Sequence, residues 1–342
     1  MTPDELRDRL AAFLQRSHNA RSVHIDALRL LTGGASRQTW SFDATIEDAD
    51  GSRTLPLVLR SNHRTGAAPV QGELEYRLLK AAHDAGVAVP RVDLFGDDSL
   101  DRPFFLMERV DGETIPRRLL RDDAYAQARA SMTAQLGATL ARIHRIDVAR
   151  HGLEALPAPP PDASPAASEV DRYEQVYRAV TPEPHPAFEL AFRWLRERLP
   201  AAKRRTLVHG DYRIGNVIFG PEGARSILDW ELAHVGDPME DLGWFCVRSW
   251  RFGNDGKPAG GLGSREELWR AYEDAGGDPV DADRARFWEA FGNLRWGVIC
   301  ITQAKAYLDR AAGMGAGELL EHGSIGRRIA ETEWELLDLM GG

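Results

Sequence analysis

The 342-residue sequence contains only two cysteines, Cys246 and Cys300. Two thiols are too few for a disulfide framework or for a metal site built from thiolates. No apolar run approaches the ~20 residues that a helix needs to cross a bilayer. The N-terminus, residues 1–17, is amphipathic and lacks the basic-then-apolar order of a signal peptide. These absences predict a cytoplasmic protein.

A surplus of basic residues is absent as well. The formal net charge is −9, which argues against a general nucleic-acid binder, because such a protein needs a basic stripe to displace counterions from phosphates. An acidic protein would suit a cationic ligand, although many proteins are this acidic simply to stay dispersed. The charge therefore predicts no nucleic-acid partner, the lack of a long apolar run predicts no membrane partner, and the oligomeric state is left open.

The length allows two domains of ~100–200 residues each, and the texture of the chain changes near its first third. Residues 40–46 and 55–60 alternate like strands, and residues 48–52 have the composition of the turn that joins them. Residues 70–85 show the spacing of an amphipathic helix. We therefore expect residues 1–110 to form a small β-rich lobe.

The remainder, residues 111–342, is predicted to be mainly helical. The stretch 156–167 is too rich in proline and alanine to pack as an element and is predicted to be a surface loop. One helix is expected over residues 317–340. The other helices are predicted over residues 122–144, 169–180, 186–199, 264–275 and 281–309. A short β segment, residues 206–230, interrupts this helical part and contains the sharpest motifs.

The segment from Leu207 to Glu231 carries the candidate chemistry. His209, Asp211 and Asn216 have the H-x-D-x-x-x-x-N spacing of a kinase catalytic loop. A hydroxyl nucleophile needs a carboxylate to orient it and to accept its proton, and phosphates need a divalent cation held by oxygen ligands. Asp211 is therefore the predicted base.

Two apolar runs, Asn216 to Phe219 and Ser226 to Asp229, flank the turn-rich residues 220–225. In a hairpin symmetric about that turn, Asn216 would face Asp229, and directly opposed residues have Cβ atoms ~4.5–5.5 Å apart. Two oxygen ligands so placed could share one Mg²⁺ ion or bind two adjacent ones. The register is a hypothesis, because both runs are apolar on both faces.

These residues allow two other interpretations. Each aspartate or asparagine alone could be an ordinary turn or capping residue, although the shared spacing argues against this for all three. The other is a hydrolytic metal centre. Its ligands would be His209, Asp211, Asp229, His234 and Asp237. Such centres usually place histidines at helical i, i+4 spacing, which is missing here.

The motifs HGDYRIGN, ILDWE and GDPMEDL resemble those of the aminoglycoside phosphotransferase family, which is related to choline kinases and more remotely to protein kinases. The spacing of HGDYRIGN is most similar to the subgroup of kinase domains associated with acyl-CoA dehydrogenases. The resemblance implies an α+β, bilobal protein kinase-like fold, with a small β-rich N-lobe, a larger helical C-lobe and ATP between them. It implies Asp211 as catalytic base, Asn216 and Asp229 as Mg²⁺ ligands, and Asp241 as a structural anchor of the loop.

The resemblance also implies a nucleotide site in the N-lobe. Its cofactor-binding residues would be Gly33, Gly34, Ser36, Arg60, Glu75, Glu108 and Val110. The glycines would let the backbone approach the phosphates, and the backbone from Glu108 to Val110 would contact adenine. Arg60 stands where kinases carry lysine, with Glu75 as its expected partner and Glu73 as the alternative. An arginine keeps the charge but changes the geometry of its contacts.

These residues predict an ATP-dependent transferase, a small-molecule kinase that moves the γ-phosphate to a hydroxyl of an aminoglycoside-like antibiotic or a hydroxyacyl or alcohol metabolite. Candidate walls for the acceptor are Trp244, Arg248, Trp250, Arg251 and Trp296. The alternative is a catalytically impaired nucleotide-binding pseudokinase, in which Arg60 has spoiled turnover. A protein kinase is disfavoured, because the sequence has no HRD, DFG or APE motif.

Overall fold

The structure, a computed structural model, describes most of the chain in seven stretches. They are residues 1–31, 37–62, 72–96, 98–181, 183–201, 204–310 and 315–341. The chain divides into two compact units. Unit 1 consists of Met1–Gly112, Val148–Leu156 and Arg225–Leu232, and unit 2 of Glu113–Asp147, Pro157–Ala224 and Ala233–Gly342.

Unit 1 is built on a five-stranded antiparallel sheet in the order β1-β2-β3-β5-β4. Its elements are α1 (Pro3–Ser17), β1 (Ser22–Leu31), β2 (Arg37–Asp48), β3 (Gly51–Asn62), α2 (Glu73–Asp84), β4 (Val92–Gly96) and β5 (Phe104–Glu108). The predicted turn between β2 and β3 is confirmed: Asp48 pairs with Gly51, whose φ of +127° is a conformation that glycine adopts without strain.

Helix α1 covers one face of this sheet. Leu10 and Leu14 are fully buried and pack in one cluster with Phe42 of β2 and Leu59 of β3. The helix begins with a capping box, in which Thr2 and Glu5 satisfy each other's backbone N–H groups. The apolar side chains at i, i+4 spacing in α1 therefore meet the inward-facing residues of two central strands.

Unit 2 is mainly helical. Its elements are α3 (Pro116–Arg121), α4 (Ala126–Ile143), α5 (Pro165–Val180), α6 (Pro186–Glu197), β6 (Thr206–Val208), β7 (Val217–Gly220), β9 (His234–Gly236), α7 (Met239–Cys246), α8 (Arg265–Asp274), α9 (Ala282–Leu308), α10 (Ala316–Ile325) and α11 (Arg328–Gly341). Strand β8 (Gly223–Ile227) begins in this unit and continues into unit 1. Two small sheets, β6-β9 and β7-β8, accompany the helices.

Helices α7 and α9 pack closely, and this contact positions much of the candidate site. A Cβ atom at Gly243 of α7 would lie 2.4 Å from the backbone carbon of Trp288 in α9, so only glycine allows this approach. Sequence analysis missed α7 because every residue from Met239 to Cys246 is buried. A helix that is buried all round has no amphipathic period to reveal it.

Three predicted boundaries are wrong in detail. The expected helix over 317–340 is two helices, α10 and α11, separated at Gly326 and Arg327. The proline-rich loop ends earlier than predicted, because Ser164 caps α5 and Pro165 occupies its first turn. The helix expected from residue 122 begins at Ala126, after a 3₁₀ turn.

Among the described helices, none is long and apolar enough to cross a membrane.

Candidate active site

The predicted catalytic loop of unit 2 leaves strand β6 at Val208. It turns at Gly210, which has a φ of +80°, and the N–H of Asp211 donates to Nδ1 of His209 at 3.2 Å. The ring of His209 is fully buried and lies edge-on to Tyr212 at 5.6 Å. His209 therefore shapes the loop by packing and hydrogen bonding.

Asp241 of α7 anchors this loop from within the protein. Its carboxylate accepts hydrogen bonds from the backbone N–H groups of His209 at 2.8 Å and Gly210 at 3.0 Å, and its Oδ2 lies 3.0 Å from Nε2 of His144. Burial raises the pKa of the Asp241 carboxyl, but the hydrogen bond and charge of His144 and the backbone bonds outweigh it, so the pKa lies below its ordinary value. The predicted anchoring contacts are confirmed.

A buried arginine, which the sequence did not reveal, supports the same loop. Arg295 of α9 is 1% exposed and donates to the carbonyl oxygen of Gly210 at 2.7 Å. It also pairs with Glu240 at 3.0 Å and lies over the ring of Trp244 at 4.5 Å. Asp241 and Arg295 thus bind opposite polar groups of the same short backbone segment.

The carboxylate of Asp211 accepts hydrogen bonds from three side chains. Nε1 of Trp244 donates to Oδ1 at 2.9 Å, Nδ2 of Asn216 donates to Oδ2 at 2.7 Å, and Nε of Arg213 donates to Oδ1 at 3.1 Å. An ionised carboxylate offers about four lone-pair sites. Asp211 therefore keeps room for a further donor, such as a hydroxyl group.

Asn216 lies in a 3₁₀ turn at Ile214–Asn216 and is 6% exposed. Its Nδ2 also donates to the carbonyl oxygen of Asp211 at 2.9 Å. Because the nitrogen end of the amide is committed, Oδ1 is the end left for another ligand, and no described residue donates to it. An amide oxygen of this kind suits a hard cation such as Mg²⁺.

The hairpin that follows differs from the expected one. Only Pro221 and Glu222 separate β7 from β8, since residues 223–225 belong to the second strand rather than to the turn. Asn216 and Asp229 both lie outside the paired strands. The argument that these two residues oppose each other within the hairpin is therefore wrong, and their shared role as ligands does not rest on it.

Unit 1 brings together three of the predicted residues. Nε of Arg60 on β3 lies 2.9 Å from Oε1 of Glu75 on α2, and its Nη2 lies 3.9 Å from Oδ1 of Asp229. Glu75 is 2% exposed, whereas the alternative partner, Glu73, pairs with Arg77 on the helix surface. The predicted pairing of Arg60 with Glu75 is present.

Asp229 has an unusual backbone conformation. Its φ is +67°, which is uncommon for a residue with a side chain and is often found at functional sites. The next residue, Trp230, is 1% exposed and donates its indole N–H to the carbonyl oxygen of Ile227 at 3.3 Å. This buried ring fixes the segment that presents the Asp229 carboxylate.

The backbone after β5 has one uncommitted donor. The N–H groups of Glu108 and Arg109 donate to the carbonyl oxygens of Arg91 and Pro56, both at 2.9 Å. The N–H of Val110 finds no acceptor among the described residues. A free backbone N–H at this position is what an adenine ring would require.

Gly33, Gly34 and Ser36 lie outside the described residues.

The candidate acceptor walls separate into two kinds. Trp244 and Trp250 are buried, at 2% and 5% exposed, and form a ring cluster with the partly buried Trp296, in which successive ring centroids are 5.2 Å and 4.9 Å apart. The indole N–H of Trp244 connects this cluster to Asp211. Arg251 is likewise buried, at 6% exposed, and its charge is paired with Glu289 at 2.9 Å.

Arg248 lies apart from this cluster of rings. It lies 4.2 Å over the ring of Trp334 and lines a cavity of about 590 Å³. It also pairs with Asp255 at 2.8 Å. Arg117 and Arg328 line the same cavity together with Asp255 and Glu331, so its wall carries both charge signs.

The alternative of a hydrolytic metal centre is not supported. Asp237 is engaged by Arg284 through two hydrogen bonds of 2.9 Å and 2.5 Å, and His234 lies 3.0 Å from Glu240. In the described stretches, the only cluster with metal-ligand spacing consists of Glu169, His234 and Glu240. It contains none of the other four residues of the alternative.

Two partners of Asp211 were not predicted. Trp244 was expected only as a wall of the acceptor site, and its hydrogen bond depends on the packing of α7. Arg213 had a detectable signal, because residues i and i+2 of an extended segment lie on the same side, and Arg213 has a φ of −152° and a ψ of 159°.

The sequence is similar to a known protein family and to known proteins. A model of the phosphotransferase enzyme family matches residues 27–288. Acyl-CoA dehydrogenase family member 10 of Mus musculus is 32% identical over 277 residues, which cover 77% of this chain and 25% of that protein. The chain thus spans about a quarter of the length of this relative.

Solved structures are similar along nearly the whole chain. A candidate aminoglycoside phosphotransferase from Ralstonia eutropha is 25% identical, with a TM-score of 0.72 and coverage of 97% of this chain and 98% of that one. The GDP complex of aminoglycoside 2′-phosphotransferase-IIIa is 13% identical, with a TM-score of 0.63 and coverage of 95% and 97%. The predicted resemblance and the α+β, protein kinase-like fold class are confirmed.

Proposed function

The chain belongs to the phosphotransferase enzyme family, and from this we propose that it transfers the γ-phosphate of ATP to a hydroxyl group of a small molecule. Asp211 is the proposed catalytic base. Residues 1–110 are the proposed nucleotide-binding lobe, and residues 111–342 contain the catalytic loop and the acceptor site. Membership of the family supports a kinase-like phosphate transfer to a small molecule. The class of acceptor is an additional proposal.

The observation that carries the proposal is the environment of Asp211. Three donors hold its carboxylate: Trp244 on Oδ1, Asn216 on Oδ2, and the single Nε–H of Arg213 shared between the two oxygens. The side chain is still 13% exposed. An acceptor hydroxyl bound there would donate to the carboxylate, be oriented toward the phosphate, and lose its proton to Asp211 as its oxygen forms the new bond. Positioning of this kind is the main contribution that a kinase makes to the reaction.

Asn216 and Asp229 are the proposed ligands of Mg²⁺. Both offer oxygen atoms, which a hard cation prefers, and the amide nitrogen of Asn216 is already committed to Asp211. A bound Mg²⁺ would neutralise the charge of the phosphates.

The nucleotide would be held by unit 1. Arg60, fixed by Glu75 at 2.9 Å, is the proposed phosphate-binding cation. The backbone from Glu108 to Val110 would bind adenine, with the N–H of Val110 as donor. The phosphates are also proposed to contact Gly33, Gly34 and Ser36. Arginine suits phosphate because its planar fork can make two parallel hydrogen bonds.

For the acceptor, we favour a hydroxyacyl or other partly apolar alcohol over a polycationic aminoglycoside. The side chains in contact with Asp211 include the ring of Trp244 and the guanidinium of Arg213, and Trp250 packs against both of them. A polycation would call for carboxylates there, whereas aromatic rings and an arginine suit apolar or anionic groups. The relationship to a protein named as an acyl-CoA dehydrogenase family member supports the same choice.

The test is a coupled assay of ADP release with Mg·ATP and a panel of acceptors: aminoglycosides, choline, sugars and hydroxyacyl thioesters. We expect turnover with one class, and a loss of roughly 10²- to 10⁴-fold in kcat for Asp211→Asn. Binding of ATP, measured by calorimetry, should change little in this variant, because the base acts on the acceptor. Asp171→Asn, which alters a half-exposed carboxylate paired with Arg196 on the surface, is the matched control.

Equal loss of turnover and ATP binding in Asp211→Asn would contradict its role as the base. Binding of ATP without turnover on a broad panel would instead favour the nucleotide-binding pseudokinase, for which the arginine at position 60 is the motivating feature.

A further inference from the structure

Arg213 is fixed against the proposed base by its own backbone. Its φ of −152° and ψ of 159° are extended, so its side chain lies on the same side of the chain as that of Asp211. Nε lies 3.1 Å from Oδ1 and 3.3 Å from Oδ2 of Asp211. The guanidinium is thus held at the carboxylate through Nε rather than through its two terminal nitrogens.

Two neighbouring residues also restrict the position of this guanidinium. It lies over the ring of Trp250 at 4.9 Å, within the range of a cation–π contact. A Cβ atom at Gly215 would lie only 2.2 Å from Nη1 of Arg213. The loop therefore has a glycine where any larger residue would displace the arginine.

The terminal nitrogens of Arg213 are uncommitted. A guanidinium has five N–H donors, of which the contacts to Asp211 use only the one on Nε. No described residue accepts a hydrogen bond from Nη1 or Nη2, and the side chain is 27% exposed. A fixed cation with four unused donors beside a catalytic base is suited to an anion that arrives with the substrates.

We propose that Arg213 is a further catalytic residue, whose terminal N–H groups donate to the phosphoryl group while it passes from ATP to the acceptor; the inference rests on the proposed function. In this step the acceptor oxygen forms a bond to the γ-phosphorus, and its proton moves to Asp211. The bond from the γ-phosphorus to the bridging oxygen breaks, and the electron pair leaves with ADP. Arg213 stays protonated and stabilises the charge on the phosphoryl oxygens.

The test needs no acceptor. Calorimetry would compare the binding of Mg·ADP alone with that of Mg·ADP plus aluminium fluoride, which mimics the phosphoryl group in transfer. We expect aluminium fluoride to tighten binding to the wild type and Arg213→Gln to lose at least roughly tenfold of that gain. Affinity for Mg·ADP alone should stay within about twofold. Arg213→Lys should recover part of the gain, because it keeps the charge without the fork.

Arg198→Gln is the matched control, since Arg198 also lies over a tryptophan, Trp194, at 4.7 Å, but is exposed at the C-terminal end of α6. It should bind both ligands like the wild type. An equal gain from aluminium fluoride in the wild type and Arg213→Gln would overturn the proposal while leaving the proposed function intact. No binding of Mg·ADP to the wild type would instead remove the proposed function, and this inference with it.

Discussion

Asp211 of unit 2 and Asp229 of unit 1 belong to the same segment, Leu207 to Glu231, but have different surroundings. The side chain of Asp211 is 13% exposed and accepts hydrogen bonds from three side chains of its own unit. That of Asp229 is 38% exposed, follows a backbone φ of +67°, and faces Arg60 at 3.9 Å. A base must be oriented before the acceptor binds, because misplacement costs rate directly. A cation ligand can complete its contacts when the cation and nucleotide arrive.

The same contrast holds for the residues behind them. The loop of Asp211 rests on the fully buried Asp241 and on the 1% exposed Arg295. In unit 1, Arg60 pairs with a buried Glu75 but keeps 18% of its own side chain exposed. Unit 2 therefore uses buried polar contacts to fix geometry, and unit 1 leaves its cation open to a ligand. Substitutions should affect stability in the first case and ligand affinity in the second.

The largest effect is expected for Asp241→Ala. Removing this carboxylate leaves the N–H groups of His209 and Gly210 buried without an acceptor, so the free energy of unfolding should fall by about 3–5 kcal/mol. Urea unfolding would measure it. Asp171→Ala on the surface should cost about 0–1 kcal/mol. Similar losses of unfolding free energy in the two variants would show that the buried carboxylate of Asp241 stabilises the protein no more than a surface carboxylate does.

The next largest effect is expected for Arg60→Ala. Loss of a charged phosphate contact should weaken the binding of Mg·ATP by roughly 10- to 100-fold, with the fold of unit 1 retained. The affinity of Arg60→Lys for Mg·ATP should lie between those of Arg60→Ala and the wild type, because lysine keeps the charge. Calorimetry would measure both variants. Arg53→Ala, on the same strand but paired with Asp48 at the surface, is the control, and equal affinities for it and Arg60→Ala would remove Arg60 from the nucleotide site.

A smaller effect is expected for Trp244→Phe, which keeps the ring but removes the donor to Asp211. The value of kcat should fall by roughly 3- to 10-fold. Trp288→Phe is the control, since the indole N–H of Trp288 is buried without an acceptor in the described structure. An equal fall in kcat for Trp288→Phe would mean that Trp244 acts only through packing.

The smallest effect concerns pH. The pKa of Asp241 is lower in the folded protein than its ordinary value, which is about 4. Its ionised form therefore contributes stability above that value, and the contribution is lost as pH falls through the folded pKa. The difference in unfolding free energy between the wild type and Asp241→Asn should stay constant above about pH 5 and narrow below about pH 4. A difference that persists unchanged in acid would contradict the lowered pKa.

Sequence reasoning worked where the relevant residues are close together in the chain. The strands and turn of residues 40–60 alternate clearly, and the kinase-like spacing of Asp211 and Asn216 lies within one loop. The predicted bounds of the hairpin were wrong, since residues 223–225 belong to β8 rather than to the turn. Both predicted runs are apolar on both faces, so the pattern could not distinguish one pairing from another.

It failed where burial removes periodicity or where contacts are distant. Helix α7 was missed because all its residues are buried. The hydrogen bond from Arg295 to Gly210 joins residues 85 positions apart, and no local pattern predicts such a pair. Trp244 was identified as a candidate, but its role as a donor to Asp211 was not.

The sequence by itself determined the fold class, the family and the identity of the proposed base, because periodicity and short motifs are local properties of the chain. Only the tertiary structure decided which groups hold that base. Trp244 reaches Asp211 because α7 lies against α9 at Gly243, and the anchor Asp241 lies on the same helix. Such contacts depend on how helices distant in sequence pack, and close packing is a property of the folded core as a whole.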